Sequence, residues 1–306
     1  MALSLLSRAL APANLRAAWA EVAANEGAAG VDDVTVVAWA RDWEARLVAL
    51  ADDVRANRYR PGELRERRVP KASGDGLRLL RIPTITDRVL QRAVLQVLHP
   101  IVEPRFLPCS FGYRPRRGVP DAVRAISRLR RQGYTWVLDA DIDDFFNQID
   151  HATLHAFLDE DLPDNSLLPL IAAWNKVDPL TPSADRGIPM GSPLSPLLAN
   201  VYLHRLDAAV TAAGFPMARY ADDFIVLAAW PGGRATAYDL VGEALAALKL
   251  RYEPRKTRLA DFETGFDFLG VHFEQTWYWY HYGDRRIEVR TDDDDHLLDR
   301  FTPDYE

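Results

Sequence analysis

Between Arg219 and Leu227 the chain reads Arg-Tyr-Ala-Asp-Asp-Phe-Ile-Val-Leu, two adjacent carboxylates set between apolar runs. The flanking runs, Met217 to Tyr220 and Phe224 to Ala229, read as strands. Neighbouring side chains of a strand point to opposite faces, so an Asp-Asp pair in mid-strand would bury one charge. That is costly without a counter-ion. At a hairpin turn, by contrast, both carboxylates can approach a divalent cation. A plain polar turn between two core strands satisfies the same pattern, so the rest of the chain has to decide.

The 306 residues, 48% of them hydrophobic, suffice for one sizeable core or two modest ones. No apolar run approaches the 18 or so residues of a membrane span, and the start lacks the pattern of a secretory signal. The single cysteine, Cys109, excludes an internal disulfide framework and fits a reducing cytoplasm. The seven histidines are scattered without metal-ligand spacing. A net charge of -7 argues superficially against a polyanionic partner. From Arg55 to Arg131, however, 19 Arg or Lys face 6 Asp or Glu, which leaves the remainder strongly acidic. A basic lobe joined to an acidic one suits nucleic acid beside a metal-binding site.

Periodicity predicts helices at Leu15–Asn25, Val36–Ala56, Thr86–Leu98, Val119–Gln132, Ala152–Asp159, Leu167–Trp174, Leu197–Ala213 and Ala235–Leu250. A basic hairpin is expected from Arg65 to Leu80, and Gly133–Ile142 reads as the first central strand. A further strand is expected near Leu250–Tyr252, and a hairpin at Phe266–Phe273. The aromatic run Trp277 to Tyr282 either stacks on bases or forms a hairpin with Ile287–Val289; its alternation favours the hairpin. The order implies an α+β sheet with helices packed on one face.

Two-metal phosphoryl transfer needs carboxylates from separate strands converging on two cations. The central strand runs into Asp139, Asp141, Asp143 and Asp144, and alternation puts the first three on one face. Spacing alone does not choose among them.

Taken together, these stretches resemble reverse transcriptases of the bacterial group II intron lineage. Leu138 to Phe146 resembles the first palm motif, and Tyr220-Ala221-Asp222-Asp223 the catalytic box. The resemblance implies a right-hand polymerase with fingers and a ferredoxin-like palm, the thumb reduced or absent. It implies Asp141, Asp222 and Asp223 as catalytic ligands, with Ile142 beside them, of two Mg²⁺ ions (Mn²⁺ as a substitute). Lys256 is implied as the general acid. Nucleotide contacts are implied for Lys71, Arg78, Phe146, Pro189, Met190 and Gly191, Phe146 acting as the gate against a 2′-hydroxyl. Nucleic-acid contacts are implied for Arg114, Arg116, Arg117 and the primer grip Phe268-Leu269-Gly270.

The implied organisation is an N-terminal extension (1–60), fingers (61–132), a palm (133–273, with fingers interleaved at about 152–186) and a short aromatic hairpin with acidic tail (274–306). Met190 departs from the family, which usually has Gln there. The implied partners are an RNA template, a DNA primer and dNTPs. The chain also looks similar to compact, intron-free enzymes encoded beside CRISPR adaptation genes, which adds integrase proteins; other antiviral defence is a second setting. A non-catalytic maturase-type RNA-binding protein and a template-independent terminal transferase remain alternatives on the same fold.

Overall fold

The structure is a computed structural model that describes residues 3–70, 77–177, 185–293 and 296–301. Its first elements are α1 (Leu5–Ala9), α2 (Pro12–Ala24), α3 (Val36–Ala40), α4 (Trp43–Arg55), β1 (Arg65–Pro70), β2 (Leu77–Ile82) and α5 (Ile85–Val102). Next come α6 (Val119–Arg131), β3 (Trp136–Ala140), α7 (Phe145–Gln148), α8 (His151–Asp161), α9 (Leu168–Asn175) and α10 (Ser195–Ala212). The remainder holds β4 (Met217–Tyr220), β5 (Asp223–Ala228), α11 (Gly233–Ala247), β6 (Arg258–Asp261), β7 (Phe266–Phe268), β8 (Val271–Glu274), β9 (Trp277–Tyr282) and β10 (Arg285–Arg290). The chain divides into two compact units, Met1–Arg105 with Phe146–Val201 and Phe106–Phe145 with Tyr202–Glu306. Among the described residues no helix is long and apolar enough to cross a membrane.

The first unit is organised on α5, whose Val89, Leu90, Ala93, Val94 and Leu98 are fully or almost fully buried. Thr84 caps it, its hydroxyl accepting from the Asp87 N–H at 3.1 Å. The buried Asp87 carboxylate in turn accepts from the Tyr59 hydroxyl and, at 3.1 Å, from the Gly62 N–H. Trp174 Nε1 donates to Tyr59 Oη at 2.8 Å, so one polar network ties the segment before β1 to α5 and α9. The expected helix over Val36–Ala56 is two helices. Trp39 is buried and donates to the Thr86 hydroxyl at 3.0 Å, while Asp42 leaves helical geometry at φ −126°. Anchoring the indole there redirects the chain before α4 begins.

In the second unit, β4, β5, β3 and β6 form an antiparallel sheet in that order. Strand alternation gives it two apolar faces. Val137, Ala218, Tyr220, Ile225 and Leu227 join one core cluster with α6 and a second sheet of order β10-β9-β8-β7. On the other face Gly233, at the start of α11, comes so close to Ala228 that an added Cβ would lie 2.5 Å from its methyl. Helices thus flank both faces, α11 on one and α6 beside the second sheet on the other, where the sequence led us to expect them on one. No strand forms at Leu250–Tyr252; Lys249 takes a left-handed φ of 57° after α11, and only a single bridge, Ile142 to Tyr252, follows. The aromatic run is a hairpin, as alternation suggests. Tyr278 and Tyr280 enter the core, while Trp277 and Trp279 lie on the opposite face under Arg290 and Arg286.

One charged residue lies at the centre of this unit. Arg219, in β4, is 0% exposed and forms a two-point ion pair with the equally buried Asp207 of α10, Nε to Oδ1 at 2.7 Å and Nη2 to Oδ2 at 2.6 Å. Removing one partner of a buried pair leaves an uncompensated charge. Asp207→Ala is therefore expected to cost about 3–5 kcal/mol in urea unfolding, and the double change Asp207→Leu with Arg219→Met clearly less than that.

Candidate active site

Arg219 also shapes the acidic turn. Its Nη1 donates to the Ala221 carbonyl at 2.9 Å and its Nη2 to the Ser110 hydroxyl at 2.9 Å. Ala221 is held at φ 57°, a left-handed conformation that needs such support in a residue with a Cβ. Gly112 packs against this turn; a Cβ there would sit 2.5 Å from the Ala221 nitrogen. The result places Asp222 in the turn and Asp223 at the start of β5, opposite Tyr220. On the neighbouring strand Ala140 pairs with Phe224, so Asp141 and Ile142 leave the end of β3 beside the acidic turn. From the third side, the Glu253 N–H donates to the Asp141 carbonyl at 2.9 Å, and the Lys256 ammonium forms an ion pair with the Asp141 carboxylate. Asp139 is 3.9 Å from Arg258, and Asp143 is turned to Arg251 at 2.5 Å.

Carboxylates this crowded perturb one another. Burial, then the charges of Asp222 and Asp141, push the Asp223 carboxyl up to about 7, with Lys256 pulling the other way. Burial pushes Asp139 up to about 6 despite Arg258. Burial acts to lower the Lys256 ammonium, but the hydrogen bond and charge of Asp141 outweigh it and hold Lys256 above the ordinary lysine value. Four carboxylates (Asp139, Asp141, Asp222, Asp223) thus face two side-chain cations, a local excess of negative charge.

Hard oxygen donors in such an excess fit Mg²⁺ or Mn²⁺ rather than a thiophilic metal. Among the described residues no group of three or more His, Cys, Asp or Glu is arranged to hold a metal ion. Asp141 is engaged instead with Lys256, which occupies it as a cation would. The donor set fits a divalent ion once that pair opens.

The residues expected at the nucleotide belong to the first unit. Arg78 is exposed on β2, paired with Val69; Lys71 lies outside the described residues. Phe146 is half-buried, and its carbonyl accepts from the Ile188 N–H at 2.8 Å. This links it directly to the loop of Pro189, Met190 and Gly191. Gly191 is exposed at φ 113°, where a Cβ would lie 2.8 Å from the Arg81 carbonyl oxygen.

A profile of the family described as reverse transcriptase (RNA-dependent DNA polymerase) matches residues 69–273. The chain belongs to the reverse transcriptase family. It is 28% identical over 286 residues to protein YkfC of Escherichia coli K12, spanning 79% of this chain and 74% of YkfC. It is 33% identical over 196 residues to LtrA, the group II intron-encoded protein of Lactococcus lactis subsp. cremoris, spanning 62% of this chain but 32% of LtrA. The chain thus covers about a third of LtrA's length. A structure of apo telomerase from Candida tropicalis shares the fold at 11% identity, with a TM-score of 0.51 over 78% of this chain and 59% of that one.

Within this reverse transcriptase the expected nucleic-acid residues have unequal surroundings. Arg114 is 8% exposed, and its guanidinium donates to the Leu107 and Ser110 carbonyls at 2.8 and 2.9 Å. It braces the loop around Ser110. Arg117 donates to the Pro108 carbonyl at 2.8 Å and lies over the Phe111 ring, whereas Arg116 is exposed. Phe268 and Leu269 are buried in the core; Leu269 and Gly270 both have positive φ, which makes the two-residue turn between β7 and β8, with Gly270 exposed. The site residue that pattern reading missed is Arg219. An arginine inside a run of four buried strand residues is a legible sign of a buried carboxylate partner.

The raised Asp223 carboxyl has a consequence for stability. Because its folded value lies above the ordinary 3.8, the folded state holds the proton more tightly, and stability is lost as pH rises through about 7. Asp223→Asn in metal-free buffer is therefore expected to stabilise more at pH 8 than at pH 5, by about 1–2 kcal/mol after allowance for solvent screening. Urea unfolding in EDTA at both pH values measures this, and an equal effect at the two would contradict it.

Proposed function

We propose that this reverse transcriptase extends a DNA primer on an RNA template with dNTPs by two-metal phosphoryl transfer. The observation that carries the reading is the convergence of Asp141 with the Asp222-Asp223 turn, beside a lysine held protonated. Asp141, Asp222 and Asp223, with the Ile142 main chain, would hold two Mg²⁺ ions. Bound there, they supply activation of the primer 3′-hydroxyl and charge neutralisation on the pyrophosphate.

The chain's own groups do the rest. Lys256, cationic at neutral pH, would give its proton to the leaving pyrophosphate oxygen. Lys71 and Arg78 would steady the triphosphate as charge-assisted donors, and the loop Pro189–Gly191 would line the nucleotide. Phe146 would exclude a ribose 2′-hydroxyl by contact. Arg116 and Arg117 would meet phosphates of the strand, and the Leu269–Gly270 turn the primer backbone. Most of the acceleration on this reading comes from positioning and preorganised charge.

The setting we propose is a prokaryotic one in which the DNA copy serves CRISPR spacer acquisition from RNA, or another antiviral defence, in the cytoplasm. Its support is the sequence resemblance described above. Co-purification with an integrase encoded beside it tests this part separately.

The activity is tested by dNTP incorporation on an RNA template with a DNA primer in Mg²⁺, against EDTA and the Asp222→Asn/Asp223→Asn double variant. Synthesis that falls at least about a thousandfold in both controls is the expected result. RNA binding without synthesis would favour a maturase-type binder, and synthesis that survives removal of the template a terminal transferase.

A further inference from the structure

In the first unit, three segments distant in sequence meet at Arg81 of β2. Its main-chain N–H donates to the Met190 carbonyl at 2.6 Å. Its guanidinium Nη1 donates to the Asn147 side-chain oxygen at 3.0 Å. Its own carbonyl lies against Gly191, at a separation no Cβ would permit. The residue is 6% exposed, so the guanidinium has been taken out of water to make these contacts.

That burial is informative. If β2 needed only a filler at this position, an aliphatic side chain would serve without the desolvation cost. A guanidinium adds planar donors in fixed directions. Here one of them orients Asn147, the residue that follows Phe146. The Phe146 carbonyl is bonded in turn to Ile188, and the Pro189 carbonyl accepts from the Ser195 hydroxyl at 2.8 Å. Phe146 and the Met190 loop are therefore two sides of one frame, and Arg81 is bonded to Asn147 next to the first and to Met190 in the second. The Met190 side chain offers only a thioether, a weak acceptor, so the loop's strong polar anchor to β2 is its backbone carbonyl on Arg81.

We propose that Arg81 is a specificity-determining positioning residue: it sets the distance between Phe146 and the Met190 loop, and thereby how strictly a nucleoside triphosphate bearing a 2′-hydroxyl is refused. The inference rests on the reading of Phe146 as the sugar gate. Exclusion by contact depends on sub-ångström placement, and misplacement of about 1 Å can change a rate about a hundredfold. Loosening the frame should spoil the discrimination more than the chemistry.

The test compares wild type, Arg81→Met, Arg81→Lys, Asn147→Ala and Phe146→Ala. For each, kcat/KM is measured for a dNTP and the matching rNTP on primed RNA, and the two dissociation constants by titration calorimetry. Arg81→Met is expected to lower the dNTP preference by about tenfold or more, through a lower KM for the rNTP, with kcat at saturating dNTP changed by less than about threefold. Arg81→Lys, which keeps a donor within reach of Asn147, should recover part of the preference. Asn147→Ala removes the acceptor without touching β2, and it should shift the ratio in the same direction even if Arg81→Met does not fold. Should dNTP and rNTP lose efficiency in parallel in Arg81→Met, or the ratio stay unchanged in Asn147→Ala, Arg81 is merely structural and the proposal fails. If Phe146→Ala itself leaves the preference intact, the gate reading fails first; if Phe146→Ala abolishes it and the other variants do not move it, the inference about Arg81 fails alone.

Discussion

A guanidinium with no exposed surface has to find its charge partner inside the protein, and in Arg219 that requirement determines the shape of the acidic turn. Asp207 neutralises it with both carboxylate oxygens, and the remaining donors go to Ser110 and to the carbonyl of Ala221. The second of those bonds supports a left-handed residue immediately before two aspartates. Without it the strand has no reason to turn there, and a regular strand would send Asp222 and Asp223 to opposite faces. Backbone bonds reinforce the arrangement, since Arg219 N–H donates to the Cys109 carbonyl and Phe111 N–H to the Arg219 carbonyl, both at 2.8 Å. The loop from Cys109 to Gly112 and the acidic turn are one assembly.

From that geometry the electrostatics follow. Asp223 starts β5, next to the strand that delivers Asp141, so its ionisation is opposed by burial and by three neighbouring carboxylates, Asp222, Asp141 and Asp139. A fold gains nothing from such repulsion, which a bound cation would relieve. Lys256 relieves part of it from a loop tied to Asp141 by the Glu253 N–H. The same ammonium, kept protonated by the carboxylates, is the group proposed above as the general acid. Structure and chemistry are thus connected through one acidic cluster whose members come from β3, from the β4–β5 turn and from the segment before β6.

Much of this was legible in the sequence, for identifiable reasons. Asp-Asp between two apolar runs admits a hairpin turn, and the strands on either side have the expected pairing. Periodicity placed α5 and α8, and each is held at its start by a local cap, Thr84 and Asp150. Local signals failed where tertiary contacts decide. Val36–Ala56 has continuous helical periodicity, yet the anchoring of Trp39 to Thr86 splits it. The bonds of Arg114 to the Leu107 and Ser110 carbonyls follow from the path of its loop, which no local pattern shows. Asp207 and Arg219 are 12 residues apart on different elements, and nothing in their spacing shows that they meet. Arg81 is similarly opaque, since its partners lie 66 and about 109 positions away along the chain.

On the reading proposed here, the acidic cluster of the second unit is a divalent-cation site in which Lys256 occupies Asp141 until the ion binds. The most direct measurement is a crystal structure of the chain grown with Mn²⁺, with anomalous scattering recorded at the manganese edge. Anomalous density bounded by Asp141, Asp222 and Asp223 is expected, with the Lys256 ammonium moved off Asp141. Crystals saturated with Mn²⁺ that show no density there, and Lys256 still paired with Asp141, would contradict it.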